Sequence, residues 1–596
     1  MRLRLPVLVC LLSLAGGPGS TMPAAAETPA RPPAWVVDPA APGDNLPPAG
    51  RSLFDQLFAV SRHGQATIEL PFPFAALLAR LDAELAREPG SPLPPAKRVL
   101  IPLGRSLQRN AAAPDYFAYP RVVVAVDGEP ASPASLFLKD RLYIGYQEKS
   151  AVLEIISYNE AAGRFEFQLV KDYRAGGRAQ VVYANRSLCF ACHQNGAPIF
   201  SRALWDETNA NPRTAALLAA EVATTRRHFY GIPVERGVDI PYAIDNATER
   251  ANGFALTQTL WRDGCGGDDP AARRCRAGLF TAALRFALSG GQAWAPDARF
   301  EAIVAARLRA ESSRRWPAGL ALGNPDLPNR NPLPELVQWP AEAPARAPYA
   351  DVAARFDPLL PRPPRAIWQA AAPEAMAMLV SGLAEFIAAP DRRRLAAALA
   401  RQATVPTTRL SAPCRIATHP PASRWSIQCA PAPGQSGPTL AGELATGAGR
   451  PIGGRLARLA LPDGTALSQL ELAAAGPSGG GETTFLPRRD GRLPRTAAGH
   501  AISRLSWRRT AGDATGGTVA VEIREEFAAI ESATAALAEG PESARLFAAT
   551  ALPRQDLLAA LFRHLGQPLP APCCRAAADL PAPRLEVPAA LPGSPA

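Results

Sequence analysis

Several β-rich runs lie in the first third of the chain, and a short cysteine motif follows them. They are VVVAV (122–126), LYIGY (142–146), LEIISY (153–158) and FEFQLV (165–170), followed by CFACH (189–193). Turn residues separate the runs, which is typical of an antiparallel meander, and QVVY (180–183) is consistent with one more strand. We therefore predict a β-rich N-terminal domain over residues 51–185 that leads directly into the cysteine motif.

Beyond the motif the predicted secondary structure changes from helices to strands and back to helices. Helical spacing of apolar residues predicts a mainly helical region over residues 186–403, in which Asn246 and Glu249 form a capping box that opens one helix. Residues 404–527 carry short strands between glycine-rich turns and predict a small all-β module. C-terminal helices and a Pro/Ala-rich tail follow over residues 528–596. The predicted fold class is therefore α+β, with several domains.

Composition and charge exclude some broad classes of protein. Apolar residues make up 47% of the 596 residues, which is enough for sizeable cores and excludes a largely disordered chain. The formal net charge is +11, but its cations are almost all arginines spread along the chain without a dense basic block. We therefore expect a mildly basic surface and no nucleic-acid partner.

The first residues have the order of a secretory signal peptide. A short basic start precedes a mostly apolar run over residues 5–15, and an A-x-A cleavage site follows at residues 24–26. We predict a signal peptide over residues 1–26 and a poorly ordered Pro/Ala-rich leader over residues 27–50, with a single N-terminal membrane anchor as the alternative. The later sequence predicts no stable membrane span, so the expected location is periplasmic or secreted.

Eight cysteines remain after the predicted signal peptide, and they form four pairs that are local in sequence. An even, locally paired set in an exported protein indicates disulfides. We expect structural disulfides between Cys265 and Cys275 and between Cys414 and Cys429. For the adjacent Cys573 and Cys574, a vicinal disulfide, two separate partners and free thiols all remain open.

The remaining pair lies in Cys189-Phe190-Ala191-Cys192-His193, the C-x-x-C-H signature of covalent haem attachment. Two thiols three positions apart on one helical turn reach the two vinyl groups of one porphyrin, and the following histidine ligates the iron. Three alternatives remain: a redox disulfide of the thioredoxin type, a zinc site, and a structural disulfide beside an incidental histidine. The first lacks a βαβ context, and the second lacks another ligand pair at zinc spacing.

The segment from Cys189 to His193, with Pro198 shortly after it, resembles the haem-binding start of c-type cytochromes. The wider stretch over residues 139–209 looks like exported single-haem proteins of Gram-negative bacteria. The resemblance implies one covalent haem c with His193 as axial ligand, and it assigns to Pro198 a part in orienting that histidine. The chain departs from small cytochromes in its length, and from two-haem peroxidases and oxygenases in having a single attachment motif.

The ligand on the opposite face of the iron is not evident from the sequence. Candidates for this position are His228, Met376 and Met378, although both methionines also fit the core side of a helix. His63, His419, His500 and His564 are weaker candidates. Arg226 and Arg227 are possible partners for the haem propionates.

Three functions are compatible with these features. The preferred one is periplasmic electron transfer through a single haem, with a redox partner protein or a small-molecule oxidant. The second is a haem enzyme or gas-binding protein with an open sixth iron position, and the third is an envelope binding or scaffold protein whose haem is structural. A filled sixth position would distinguish the first from the second.

Overall fold

A computed structural model describes residues 31–586 of the chain with internal gaps. The gaps are 92, 105, 107–108, 202–206, 236–238, 292–296, 328–358, 402–404, 420–423, 448–449, 479–480, 488–492, 497–498, 514 and 568–574. The described residues from Pro33 onward belong to one compact unit. Residues Met1–Pro32 are a separate unit, of which only Arg31 and Pro32 are described.

The N-terminal part is built around an antiparallel sheet. Its first elements are β1 (Ala34–Trp35), α1 (Leu53–Phe58), β2 (Ala59–Arg62), β3 (Gln65–Ile68) and α2 (Phe74–Asp82). The sheet itself consists of β4 (Ala96–Ile101), β5 (Arg121–Val126), β6 (Leu142–Gln147), β7 (Val152–Asn159), β8 (Arg164–Lys171) and β9 (Gln180–Tyr183). These six strands pair in sequence order as a meander, so the predicted strands β5–β9 are confirmed and β4 is added to them.

Helices dominate the next part of the chain. They are α3 (Arg186–Cys192), α4 (Pro212–Thr225), α5 (Asp239–Thr259), α6 (Pro270–Leu288), α7 (Ala298–Phe300), α8 (Ala306–Arg315), α9 (Ala375–Ala384) and α10 (Ala389–Ala400). Short strands lie between them: β10 (Phe200–Ser201), β12 (Asp326–Leu327), β11 (Leu320–Leu322) and β13 (Ala366–Trp368). The predicted capping box is wrong, because helix α5 already begins at Asp239 and Asn246 lies inside it.

The all-β module is a closed barrel of eight antiparallel strands in sequence order. They are β14 (Thr407–His419), β15 (Arg424–Cys429), β16 (Thr439–Gly447), β17 (Arg450–Ala460), β18 (Ala466–Ser478), β19 (Glu482–Pro487), β20 (Ala501–Arg509) and β21 (Gly516–Arg524). The last strand pairs with the first, so that the ring closes. The interior is a separate apolar core that includes Leu456, Phe485 and Val521.

The C-terminal helices pack into the main core rather than into the barrel. They are α11 (Ala528–Glu539), α12 (Ser543–Leu546), α13 (Arg554–His564) and α14 (Arg575–Ala578). Phe547 and Phe562 are fully buried in the same apolar cluster as Val122 of β5 and Trp261. One continuous core therefore joins the sheet, the helical part and the C-terminal helices.

The α+β fold class is confirmed, while the domain limits stay predictions. The limits at 185, 403 and 527 fall between secondary-structure elements, although Pro33–Ala596 cluster as one compact unit. In the part of the chain that the structure describes, none of the helices combines the length and apolar character that a membrane crossing requires.

The described part of the leader, residues 31–50, is ordered, contrary to the prediction. Strand β1 pairs in parallel with β11, from Ala34 beside Leu320 to Trp35 beside Ala321. Asn45 accepts a hydrogen bond from the amide of Arg186 at 3.0 Å. The prolines of this segment made it look unstructured, but long-range hydrogen bonds hold its backbone.

Candidate functional site

Helix α3 carries the cysteine motif and begins almost where the edge strand β9 ends. The side chain of Asn185 caps it by accepting a hydrogen bond from the amide of Ser187 at 2.9 Å. Arg186 is buried and donates to the carbonyl of Pro42 at 2.8 Å and to that of Phe165 at 2.9 Å. The first turn of the helix is thus tied both to the sheet and to the leader.

A tight turn after α3 orients the ring of His193. The amide of His193 donates to the carbonyl of Cys189 at 2.8 Å, and its Nδ1 lies 2.9 Å from the carbonyl oxygen of Ala197. A carbonyl only accepts, so Nδ1 carries the hydrogen and Nε2 keeps its lone pair. Burial lowers the pKa of His193 to about 4, which keeps the ring neutral. A neutral ring with an available Nε2 is the form that ligates a metal.

Gly196 makes this turn possible. Its φ is +64°, and a Cβ there would lie 2.8 Å from the ring of Phe190. Both the backbone conformation and the lack of space favour glycine. The residue therefore allows the carbonyl of Ala197, which directly precedes Pro198, to reach the ring of His193.

A segment distant in sequence holds the end of the motif in place. Arg362 donates to the carbonyls of Cys192 and Asn324, each at 2.8 Å, and its amide donates to the side chain of Gln194 at 3.0 Å. One of these hydrogen bonds holds the backbone of Cys192, directly before His193, and another holds the side chain of Gln194, directly after it. The motif is therefore held at its start by Arg186 and at its end by Arg362.

The two motif cysteines are both half-buried. No disulfide joins Cys189 to Cys192, and burial raises the pKa of the Cys189 thiol to about 12. A thioredoxin-type nucleophile requires a lowered thiol pKa and partial exposure to solvent. The environment of Cys189 is therefore unlike that of a redox-active thiol, and it keeps the sulfur protonated.

A cavity of about 410 Å³ lies between α3 and one face of the sheet. One side of the cavity is lined by both motif cysteines and His193. The other side is formed by residues of the sheet whose side chains point toward the cavity. The apolar residues among them include Val123, Tyr143, Ile156, Phe167 and Leu169. The volume lies within the range of about 300–1,000 Å³ that small-molecule and cofactor sites occupy. The cavity and the motif therefore form a single site.

The register of the sheet explains which side chains form the cavity wall. Tyr143 on β6 is the partner of Ile156 on β7, which is in turn the partner of Phe167 on β8. Cross-strand partners point to the same face, so that they form a continuous apolar row. The ring of Phe167 lies 5.4 Å from the ring of His193, which places the histidine at the β8 end of this row.

Two charged residues of the cavity were not predicted from the sequence. Arg121 at the start of β5 and Glu154 on β7 form an ion pair in the wall. The available signal was a charged residue inside an otherwise apolar run, since Glu154 lies between Leu153 and Ile155. A charged residue within an apolar strand indicates that its side chain is either functional or paired with an opposite charge.

The predicted candidates for the opposite face of the iron lie elsewhere. His228 is exposed beside a short turn, Met376 is buried in the main core and Met378 is 42% exposed. Among the described residues that line the cavity, His193 is the single histidine and no methionine occurs. Residues 202–206 and 328–358, which lie outside the described residues, contain neither residue type in their sequence.

The other predicted residues are also away from the cavity wall. Arg227 pairs with Glu148, and Arg226 is the residue that ends α4. His63 and His564 are exposed, while His500 lies near Phe527. The side chain of His419 is not among those described.

Both predicted disulfides are confirmed. Cys265 is bonded to Cys275, and Cys414 to Cys429. Cys573 and Cys574 lie outside the described residues. Over the described ranges, no group of three His, Cys, Asp or Glu side chains is arranged to hold a metal ion.

Comparison with protein-family models, with curated proteins and with solved structures found no match for this chain. Its function therefore has to be inferred from the chemistry of the site.

Proposed function

We propose that the chain is an exported c-type haem protein that holds one covalent haem in the cavity between α3 and the sheet. The observation that carries the proposal is the position of the C-x-x-C-H motif in the wall of that cavity. Both thiols and the imidazole line a space with apolar walls, which is the environment that a tetrapyrrole requires.

The residues present fit this group in three respects. Cys189 and Cys192 would hold the group through two thioether bonds, in each of which the sulfur would be bonded to one carbon of a vinyl group and the thiol hydrogen would have gone to the other carbon. The Nε2 lone pair of His193 is available as the axial ligand, because Nδ1–H is bound to Ala197. The rings of Tyr143 and Phe167 offer an apolar surface for the macrocycle. When bound, haem would supply an iron centre able to exchange electrons or to take a small ligand.

The lining of the cavity favours an open sixth iron position over a filled one. It therefore argues against electron transfer, which is the function that the sequence alone favours. Electron carriers of the c type have a histidine or methionine on the second axial side. No described lining residue except His193 is of either type, while Arg121 and Glu154 supply polar groups. A haem enzyme of the peroxidase or oxygenase class, or a gas-binding protein, is therefore the better supported function.

The compartment and partners follow from the same chemistry. Disulfides such as Cys265–Cys275 persist in oxidising compartments, which supports the proposed periplasmic or secreted location. The proposed partners are a small-molecule oxidant or other small ligand at the iron and a protein that supplies electrons. A structural haem in an envelope protein is the remaining alternative.

Covalent attachment is tested by haem staining of a denaturing gel. Wild-type protein is exported from a host that matures c-type haem proteins, beside the double variant Cys189→Ala/Cys192→Ala. The stain is expected in the wild type and absent from the double variant. The matched control is Cys414→Ala/Cys429→Ala, which removes the cysteine pair of the separate barrel core and is expected to keep the stain. A stain that persists in Cys189→Ala/Cys192→Ala, or its absence from the wild type, would sink the proposal.

The sixth position is tested by absorption spectra of oxidised and reduced protein with and without carbon monoxide. A high-spin spectrum that changes on adding carbon monoxide is the expected result. A low-spin spectrum that carbon monoxide leaves unchanged would instead restore single-haem electron transfer as the function. In His193→Gly the stain is expected to remain while the spectrum changes, and added imidazole is expected to restore it.

A further inference from the structure

The ion pair between Arg121 and Glu154 is an unusual feature of an otherwise largely apolar cavity. The side chain of Arg121 is 20% exposed and that of Glu154 is 29% exposed, so both are largely buried. The hydroxyl of Ser106 donates to Glu154 at 3.4 Å. A buried ion pair costs desolvation energy and contributes little net stability, so its presence in a cavity points to a role there.

The sheet provides a specific path for the arginine side chain. Gly145 on β6 is the cross-strand partner of Glu154 and lies beside Val123 of β5. A Cβ on Gly145 would lie 2.3 Å from Nη2 of Arg121. The guanidinium therefore crosses the sheet over the glycine to reach β7, one strand from the β8 end of the wall where His193 lies. Any side chain at position 145 would occupy the place of the guanidinium.

One donor of this guanidinium lacks an acceptor. Nη2 of Arg121 donates to Glu154, while Nε is buried without a hydrogen-bond partner among the described residues. A buried donor without an acceptor costs free energy, which an acceptor group brought by the occupant of the cavity would recover. Arg121 is also the single cation among the described lining residues. Of the other lining carboxylates, Glu586 is paired with Lys171 at 3.1 Å.

We propose that Arg121 is the anion-binding residue of this cavity and that Glu154 positions its guanidinium over Gly145. The inference deepens the proposed function and rests on it, because the anion is one that accompanies haem. Two sources supply the same chemistry: a propionate carboxylate of the haem, or a small anion bound at the open iron position. A negatively charged group would accept from Nε and compete with Glu154 for the rest of the guanidinium.

The test compares Arg121→Gln and Glu154→Gln in the haem-loaded ferric protein. The matched control is Arg98→Gln, because Arg98 is an arginine of neighbouring β4, is 14% exposed and is paired with Asp82 outside the cavity. Azide affinity, measured by absorption, reports on a small anion at the iron. The pH dependence of the haem midpoint potential reports on a propionate.

For a small anion, Arg121→Gln is expected to weaken azide binding roughly 10- to 100-fold, the loss of one charged hydrogen bond. Glu154→Gln is expected to tighten it, because the glutamine amide oxygen still accepts from the guanidinium and keeps it in position while a competing negative charge is removed. If the anion is a haem propionate, azide affinity is expected to be unchanged. The inflection in the plot of haem midpoint potential against pH is then expected to move to higher pH in Arg121→Gln alone. A merely structural pair would make both substitutions act in the same direction.

The proposal is overturned if both readouts in Arg121→Gln match those of Arg98→Gln. Wild-type protein without a haem stain would overturn the proposed function, and the anion site then has its own test. The anionic apolar dye anilinonaphthalene sulfonate is titrated into haem-free wild type and Arg121→Gln. Weaker binding to the variant supports the anion site, and equal binding overturns it.

Discussion

Single glycines in this protein decide where charged or polar groups are placed. Gly196 allows the turn that joins His193 to Ala197, and Gly145 makes room for the guanidinium of Arg121. Gly454 on β17 instead lets two barrel strands approach, because a Cβ there would lie 2.2 Å from the carbonyl oxygen of Glu443. The same residue type thus serves side-chain placement in one case and backbone packing in the other.

These two environments predict different costs of adding a methyl group. Gly145→Ala meets the end of a flexible arginine, so we expect a loss in the free energy of unfolding of less than about 1 kcal/mol. Gly454→Ala meets backbone that cannot move aside, so we expect a loss of about 1–3 kcal/mol. Chemical denaturation of the two variants checks this order, and a larger loss in Gly145→Ala would contradict it. Gly145→Ala should also reproduce the anion-binding phenotype of Arg121→Gln.

The first hairpin of the barrel contains a covalent cross-link between its two strands. Cys414 on β14 and Cys429 on β15 are direct cross-strand partners as well as disulfide partners. Because β14 also pairs with the last strand β21, the bond secures the place where the barrel closes. The disulfide therefore stabilises an element whose core is separate from the main core of the protein.

Removing this bond is expected to destabilise the barrel. The disulfide closes a loop with a sequence separation of 15 residues, for which loop-closure entropy predicts a contribution of about 3 kcal/mol. Cys414→Ala/Cys429→Ala should therefore lower the free energy of unfolding by about that amount. Denaturant titration followed by the fluorescence of the barrel tryptophans Trp425 and Trp507, which pack in this core, measures it. An unchanged midpoint of that transition would show that the bond is dispensable.

The C-terminal end of the described chain lies next to the candidate site. The amide of Tyr183 at the end of β9 donates to the carbonyl of Arg584 at 2.7 Å, and the amide of Glu586 donates to the carbonyl of Tyr183 at 2.7 Å. Residues 581–586 thus cover the edge of the sheet, and Glu586 lines the cavity. A covered edge is protected against pairing with another chain. The C-terminal segment is therefore also part of the cavity wall.

Deletion of this segment is expected to expose Cys189. A chain that ends after Leu580 loses both hydrogen bonds and the cavity-lining Glu586, so a maleimide reagent should label Cys189 of the haem-free protein several-fold faster. The matched control is a second truncated chain, which ends after Glu586 and keeps the hydrogen-bonded segment. Equal labelling rates in the two truncated proteins would show that residues 581–586 do not restrict access.

A carboxylate also links the sheet to the helical part. Glu129 accepts from Lys139 at 3.0 Å and from the amide of Ala389 at 2.9 Å. Burial raises the pKa of Glu129, but Lys139, these hydrogen bonds and Arg392 outweigh that effect, so the pKa lies below the ordinary value of about 4.5 for a glutamate. The contribution to stability is therefore complete above about pH 4.5 and is lost as the pH falls through the folded pKa.

Glu129→Gln is expected to reduce the pH dependence of stability. At pH 7 it should lower the free energy of unfolding by about 1–2 kcal/mol, and at pH 3 it should have little effect. Denaturant titrations at the two pH values check this. Glu69→Gln is the control, because Glu69 belongs to an exposed ion pair with Arg62 and should change stability little at either pH. A loss of equal size at both pH values in Glu129→Gln would contradict the assignment.

Local sequence patterns predicted strands β5–β9 and both disulfides. The runs from Val122 to Tyr183 became β5–β9, because alternation and β-branched residues favour a strand wherever it pairs. The sequence missed β14, β15 and β19, and it began α5 seven residues late, at Asn246 instead of Asp239. In β14, Pro413 breaks the usual strand pattern, and pairing with β15 and β21 overrode that local preference.

The proposed chemistry of the C-x-x-C-H motif is predicted from five adjacent residues, because covalent haem attachment and axial ligation would depend on spacing along one helical turn. The cavity, by contrast, is formed by residues that lie far apart in sequence: Arg121, Glu154, His193 and Glu586. Strand pairing and the contact of the C-terminal segment with the edge of the sheet bring them together. The residues that line the site follow from long-range packing, which a local pattern does not encode.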